Sequence, residues 1–281
     1  MRQESLGAGL TLFRSSAWQM SSLVLELGGE TLLVDPGYFP EEVAEQAALL
    51  AAHGAAPARL LLTHSHFDHV AGLPQLPSLP VIAHADLGGG RPGRVARALA
   101  AFDGQLYVER PGALALPAPD VAVAAPITLE AGRDRLHLFP APGHSADSVF
   151  TVVERAGLFL PGDYLSELEF PFLGEEPGSL EQYLETLALA ERLVDEFRPR
   201  LLVSGHGPVA TTPGAMKERA RRDRPYLETL ADQVSACKRR GASLRETQSV
   251  LRKLPYRGAP IAAHLLPSHR TNVARLYRSL P

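Results

Sequence analysis

The chain has 281 residues, 45% of them hydrophobic and 21% charged, with a formal net charge of −3. That balance suits one sizeable globular domain, alone or with an appendage, and excludes a disordered chain. No stretch approaches the roughly 18 apolar residues of a membrane helix, and the opening MRQESLGAGL lacks the apolar centre of a signal peptide, so the expectation is a cytoplasmic protein without membrane contact.

From Leu10 to Pro36 the text reads as three strands, LTLF, SLVLEL and TLLVDPG, the last two joined by a Gly28-Gly29 hairpin turn. EEVAEQAALLAAH (41–53) has helical periodicity, starts after Pro40 and stops at Gly54, and the buried strand ARLLLTH follows. PVIAH repeats the strand signal and RPGRVARALAAF reads as a short helix. Pro111 to Arg135 is rich in Pro, Ala and Gly, and VAVAA and ITLEAG within it read as edge strands among loops. RLHLFPAPGH, SVFTVVE and GLFLPGD are spaced like a β-meander. Ser179 to Phe197 reads as a helix with Ser179 as its N-cap, ended by Arg198-Pro199, and RLLVSGHG as a further buried strand.

After Pro213 the texture is helical only, in AMKERARRDRPYLETLADQVSACKRRG, SLRETQSVLRKL and a last helix near AAHLLPSHRTNVARLYRSL. Residues 214–281 hold 15 Lys and Arg against 5 Asp and Glu, which leaves 13 against 26 for residues 1–213. Such a basic region either docks on the acidic body or attracts anionic ligands. Arg221, Arg222 and Arg224 in it are candidates for contact with a small anionic substrate, whereas the lone Cys237 excludes an internal disulfide and reads as an apolar helix residue. The expected division is a catalytic domain over 1–212 and a basic helical cap over 213–281. Two β-rich halves, each followed by a helix and a strand, predict an α/β fold, a four-layer αββα sandwich.

The chemistry centres on THSHFDHV (63–70), at the C-terminal end of a strand. His64 and His66 are one residue apart, so on an extended strand end both side chains face the same way and can share one metal ion. Asp68 and His69 follow after a short turn and can face a second ion, imidazole and carboxylate being ligands for zinc, manganese or iron. Four groups do not fill two coordination shells. His144 in APGHSAD, Asp163 in FLPGDYL and His206 in VSGHGPV are candidates for the rest, each after an apolar strand and beside a glycine that lets backbone approach a crowded centre.

Over roughly residues 10–210 the sequence resembles the metallo-β-lactamase superfamily. The order VDPG (Asp35), HSHFDH (64–69), PGH (His144), GD (Asp163) and GHG (His206) fills every position of that family's signature. The resemblance implies that His64, His66 and His144 bind one metal, that Asp68, His69 and His206 bind the second, and that Asp163 bridges them, with Asp35 holding a ligand histidine by hydrogen bond. It further implies two divalent ions, zinc as first choice and iron or manganese as alternatives, with a bridging hydroxide as nucleophile. Asp68 is the expected proton donor to the leaving group, and His264 and His269 are further candidates.

His66 argues against the flavo-diiron branch, which carries Glu at that position. The intact bridging Asp163 is similar to the glyoxalase II group, the acyl-homoserine lactonases and the lactamase-like endoribonucleases. The expectation is therefore a dinuclear hydrolase of a thioester, lactone or similar small anionic ester. A metal-dependent endoribonuclease or phosphodiesterase and a mononuclear iron persulfide dioxygenase are the alternatives. The expected partner is a small anionic molecule, with RNA as an alternative, and a homo-oligomer is compatible with the sequence.

Overall fold

A computed structural model gives the fold and describes residues 2–7, 9–52, 58–174, 176 and 178–280. The first half builds a seven-stranded sheet in the simple order β1 to β7: β1 Arg2–Gly7, β2 Leu10–Arg14, β3 Ser21–Glu26, β4 Thr31–Val34, β5 Ala58–Leu61, β6 Val81–His84 and β7 Val121–Val123. The first four strands are antiparallel and β4 to β7 are parallel. Crossovers between the parallel strands carry the helices α1 Pro40–Ala52, α2 Phe67–Val70 and α3 Pro92–Leu106. The second sheet comprises β8 Ile127–Ala131, β9 Asp134–Pro140, β10 Val149–Val153, β11 Leu158–Leu160 and β12 Leu201–Leu202, in the order β12-β11-β10-β9-β8. Its middle is the expected antiparallel meander, β9-β10-β11.

Alternating burial explains the layering. The inward residues of both sheets, among them Leu12, Leu23, Leu32, Leu61, Leu136, Leu138 and Leu160, form one core between the sheets. The outer face of the first sheet packs Phe13, Val24, Leu33 and Leu60 under α1 and α3. The outer face of the second packs Phe150, Val152 and Phe159 against α4, Ser179–Phe197, whose Tyr183, Leu187, Ala190 and Val194 lie along one stripe. The result is the expected αββα sandwich. Three further helices, α5 Pro213–Arg239, α6 Leu244–Leu251 and α7 Leu266–Ser279, extend that same core through Leu227, Leu230, Leu251, Val273 and Leu276. No helix among the described residues is long and apolar enough to cross a membrane.

The structure corrects several sequence expectations. The N-terminal segment is a strand, β1, paired antiparallel with β2; as a largely exposed edge it carries no alternating apolar signal. Ser179 is the first residue of α4 rather than its N-cap. Gly178 caps the helix with φ +81°, a left-handed conformation that suits glycine, and makes no side-chain cap bond. The C-terminal region is not helical throughout, because β13 Pro255–Tyr256 and β14 Ala259–Pro260 form a small hairpin between α6 and α7. The helix from 92 runs for 15 residues and is not short. The expected end of α1 at His53 and Gly54 lies outside the described residues.

Candidate metal centre

The sheets are arranged so that polar strand ends meet at one edge. Asp35 follows β4, His64 and His66 follow β5, His144 follows β9, Asp163 follows β11 and His206 follows β12. Backbone bonds lock these ends together: Val149 donates to Thr63 O across the sheets (2.8 Å), Gly205 to Gly162 O (2.7 Å) and Ser21 to Gly205 O (2.7 Å). After His66 the chain turns into the single turn of α2, which brings Asp68 and His69 back to the same point.

Two groups of donors result. His64, His66, His144 and Asp163 form one and Asp68, His69 and His206 the other, with Glu169 clustered on Asp163 and His206 beside the second. Asp163 stands between them with one oxygen toward each. Its Oδ2 is 3.4 Å from His64 Nε2 and 3.3 Å from His144 Nε2, while its Oδ1 is 3.0 Å from His69 Nε2 and 3.5 Å from His206 Nε2. Asp68 Oδ2 is 3.2 Å from His206 Nε2 and 3.7 Å from His69 Nε2.

These separations fit a metal. A tetrahedral shell with ligands at about 2.0–2.1 Å has edges of about 3.3 Å. Two nitrogens that approach without a cation between them are otherwise unfavourable neighbours, yet His144 Nε2 and His66 Nδ1 are 2.9 Å apart and His69 Nε2 and His206 Nε2 3.3 Å apart. His64 Nε2 and Asp163 Oδ1 are buried without a hydrogen-bond partner, which a cation would supply.

The outer nitrogens settle the tautomers. His69 Nδ1 donates to Asp35 Oδ2 (2.8 Å), His206 Nδ1 to Trp18 O (3.0 Å) and His144 Nδ1 to Phe172 O (3.1 Å). Thr63 Oγ1 donates to Asp35 Oδ2 (2.5 Å), so it accepts from His64 Nδ1 at 3.1 Å. In their neutral form these four rings each present an unprotonated Nε2 to the centre. Asp35 has φ +44° and also accepts from Thr63 N (2.8 Å), so one carboxylate fixes both the strand end and His69.

Burial and neighbouring imidazoles hold His66 well below the ordinary histidine range, and His64 below it in the same way. Burial also opposes a charge on His69, but the carboxylates of Asp163, Asp68 and Asp35 outweigh it and raise that ring well above the range. His206 is raised likewise, chiefly by Asp163 and Glu169 against its burial. Asp163 is driven well below the usual carboxylate range by His69, His206 and His64 despite its burial. The second group is thus a site of strongly negative potential, suited to a cation.

Two cavities open onto the centre. One of about 300 Å³ has an aromatic wall of Trp18, Phe67, Phe102, Phe170 and Phe172, closed by Leu265 and Ser268 at the start of α7. Phe67 and Phe102 stack at 4.4 Å and Trp18 meets both edge-on. The other, about 160 Å³, shares His66 and His144 and is lined by Arg91 and Arg94 at the start of α3 and by Arg275 on α7.

The remaining candidates fall elsewhere. His269 is buried, accepting from Tyr226 OH (2.8 Å) and donating to Leu251 O (2.9 Å), so it ties α5, α6 and α7 together. His264 is exposed and lines neither cavity. Arg221 pairs with Glu191, Arg222 with Glu167 and Glu218, and Arg224 with Glu228, and these three arginines line neither cavity. Cys237 is buried on α5. Sequence reading missed Glu169 in the aromatic cavity, Tyr164, whose hydroxyl accepts from His144 N (2.8 Å), and Asp147, which accepts from Gly88 N (2.9 Å) and Ser145 Oγ (2.8 Å). No fixed spacing announces these three.

Comparison with known proteins agrees with this geometry. A hydroxyacylglutathione hydrolase of Anaeromyxobacter dehalogenans (strain 2CP-C) is 34% identical over 142 residues, 50% of this chain and 44% of that protein. The match thus spans less than half the length of that relative. The "Probable metallo-hydrolase YqgX" of Bacillus subtilis (strain 168) is 28% identical over 193 residues, 68% of this chain and 86% of that protein. Among solved structures, a metallo-beta-lactamase family protein from Thermus thermophilus shares the fold with a TM-score of 0.68 at 21% identity, covering 98% of this chain and 94% of that one. The sequence model described as "Metallo-beta-lactamase superfamily" matches residues 16–206, the span that contains the seven ligand candidates read from the sequence, and the chain belongs to that superfamily.

Proposed function

We propose that the protein is a dinuclear metal-dependent hydrolase of a thioester, lactone or similar small anionic ester. The observation that carries this reading is Asp163, whose two oxygens each face a separate histidine-rich donor group. His64, His66 and His144 would hold one divalent ion and Asp68, His69 and His206 the other, zinc being our first choice and iron or manganese the alternatives. Bound there, such ions supply a water acidified to near neutral pH and a Lewis acid for the carbonyl oxygen. The protein's own side chains orient the rest. Asp68, whose side chain is 10% exposed against 5% for Asp163, would in this reading pass a proton to the leaving atom. The aromatic cavity excludes water and accepts an apolar portion of the substrate, and Arg91, Arg94 and Arg275 favour an anionic portion. The acylglutathione hydrolase relative supports the same reaction class.

Residues 213–281 act in this reading as a cap, since Leu265, Ser268 and Arg275 reach the cavity walls. RNA is the less favoured substrate, because Arg221, Arg222 and Arg224 are already paired with glutamates. The test is a screen of thioesters, lactones, phosphodiesters and RNA with wild type and His66→Ala, after metal analysis. Ester or thioester turnover lost in the variant is expected; activity that survives loss of His66 undiminished would overturn the site.

A further inference from the structure

Among the described residues, Glu169 is the carboxylate at the centre that the family signature does not include. It lies on the loop after Asp163, and that loop is clipped to the His206 turn by a single hydroxyl: Ser166 Oγ donates to His206 O (3.0 Å) and accepts from Leu168 N and Glu169 N (3.0 Å each). Its carboxylate lies in the aromatic cavity beside Phe170, and one of its oxygens, an oxygen of Asp163 and a nitrogen of His206 all lie within 4.8 Å of one another. A carboxylate oxygen this close to an oxygen of Asp163 and a nitrogen of His206 is placed to share a cation with them. Asp163 Oδ1, on the same side of the centre, is a buried oxygen that lacks a hydrogen-bond partner, an independent mark of a cation at that position.

We propose that Glu169 is a fifth protein ligand of the second ion, making that site richer in oxygen and in negative charge than the first. This rests on the dinuclear reading above. The first site offers three imidazole nitrogens and one oxygen of Asp163, and the second two imidazoles and Asp68; the other Asp163 oxygen, 3.0 Å from His69 Nε2, and Glu169, which clusters with Asp163 and His206, would complete the second. Imidazole-rich tetrahedral sites suit zinc, and oxygen-rich sites of higher coordination number suit manganese. The two positions therefore differ in preference, and the second one favours Mn2+ relative to Zn2+ more than the first does.

The test is titration of metal-free full-length protein with Zn2+ and with Mn2+ by calorimetry and chelator competition, in wild type, Glu169→Gln and Glu169→Asp. Gln keeps the size while removing the charge, and Asp keeps the charge while withdrawing it by one methylene. Wild type is expected to take two ions. In Glu169→Gln the first ion should bind as before, the second about 10- to 100-fold more weakly, with the larger loss for Mn2+; Glu169→Asp should share the direction of the defect. Two ions bound with wild-type affinities in both variants would overturn the role of Glu169 and leave the dinuclear reading intact. A single ion in wild type would overturn both.

Discussion

Alanine at position 205 would place a methyl group inside the centre. A Cβ built on Gly205 lies 2.0 Å from Asp163 Oδ1 and 2.8 Å from His69 Cε1. The backbone there cannot retreat, because Gly205 donates to Gly162 O and accepts from Ser21 N, both at 2.7 Å. The carboxylate of Asp163 must therefore move by more than about 1 Å to regain an ordinary contact, away from the nitrogens it now faces. Overpacking of this kind costs about 1–3 kcal/mol, which for a chain of this size lowers Tm by several degrees. A misplacement of about 1 Å at a reacting centre costs about 100-fold in rate. Gly205→Ala should accordingly remain folded, lose at least one metal equivalent, and fall about 100-fold or more in kcat/KM on the best substrate of the screen. The assays are metal analysis after gel filtration, steady-state kinetics and a thermal melt. A variant that keeps two ions and full activity would refute the placement of Asp163 between two metals.

Asp35→Asn turns an amide donor or a weaker acceptor toward His69 Nδ1–H and Thr63, so metal affinity should drop about 10- to 100-fold in chelator competition; unchanged affinity would contradict the anchoring role. Asn272 donates to Pro171 O (2.7 Å) and accepts from Leu173 N (2.9 Å), holding the segment whose Phe172 carbonyl takes the His144 ring proton. Asn272→Ala should cost about 1–3 kcal/mol in denaturant unfolding, by leaving buried backbone groups unpaired. Burial pushes Asp223 up to about 7, against the hydrogen bond from Tyr256 and the charge of Arg257. The native state then binds this proton more firmly than the unfolded chain does. Stability from Asp223 is present below the unfolded carboxylate pKa and is lost as pH rises through about 7. Asp223→Asn should remove that slope, gaining on wild type by a few kcal/mol between about pH 4 and pH 8; parallel stability curves would count against it.

The centre was legible where ligands are close in sequence or sit beside glycine at strand ends. His64, His66, Asp68 and His69 declared themselves by spacing alone, because strand alternation and one helical turn leave few places for their side chains. His144, Asp163 and His206 needed the pattern of strand followed by Gly-rich turn. Glu169 carries no such mark, since it reaches the centre through a loop whose path is set by Ser166. Of the two readings of the basic C-terminal region, docking on acidic residues describes Arg221 and Arg222, while the arginines that line a cavity beside the centre, Arg91, Arg94 and Arg275, were not singled out as a group. Edge strand β1 escaped because its residues are mostly exposed. The cap of α4 was displaced by one residue because Gly178 adopts a left-handed conformation there.

Metal equivalents per chain in the purified protein, with oxygen uptake followed in parallel, test the central claim most directly. The account predicts two ions in wild type, fewer in His66→Ala, and hydrolysis that stops on chelation and returns with added metal, without oxygen consumption. One iron per chain with oxygen uptake would contradict it.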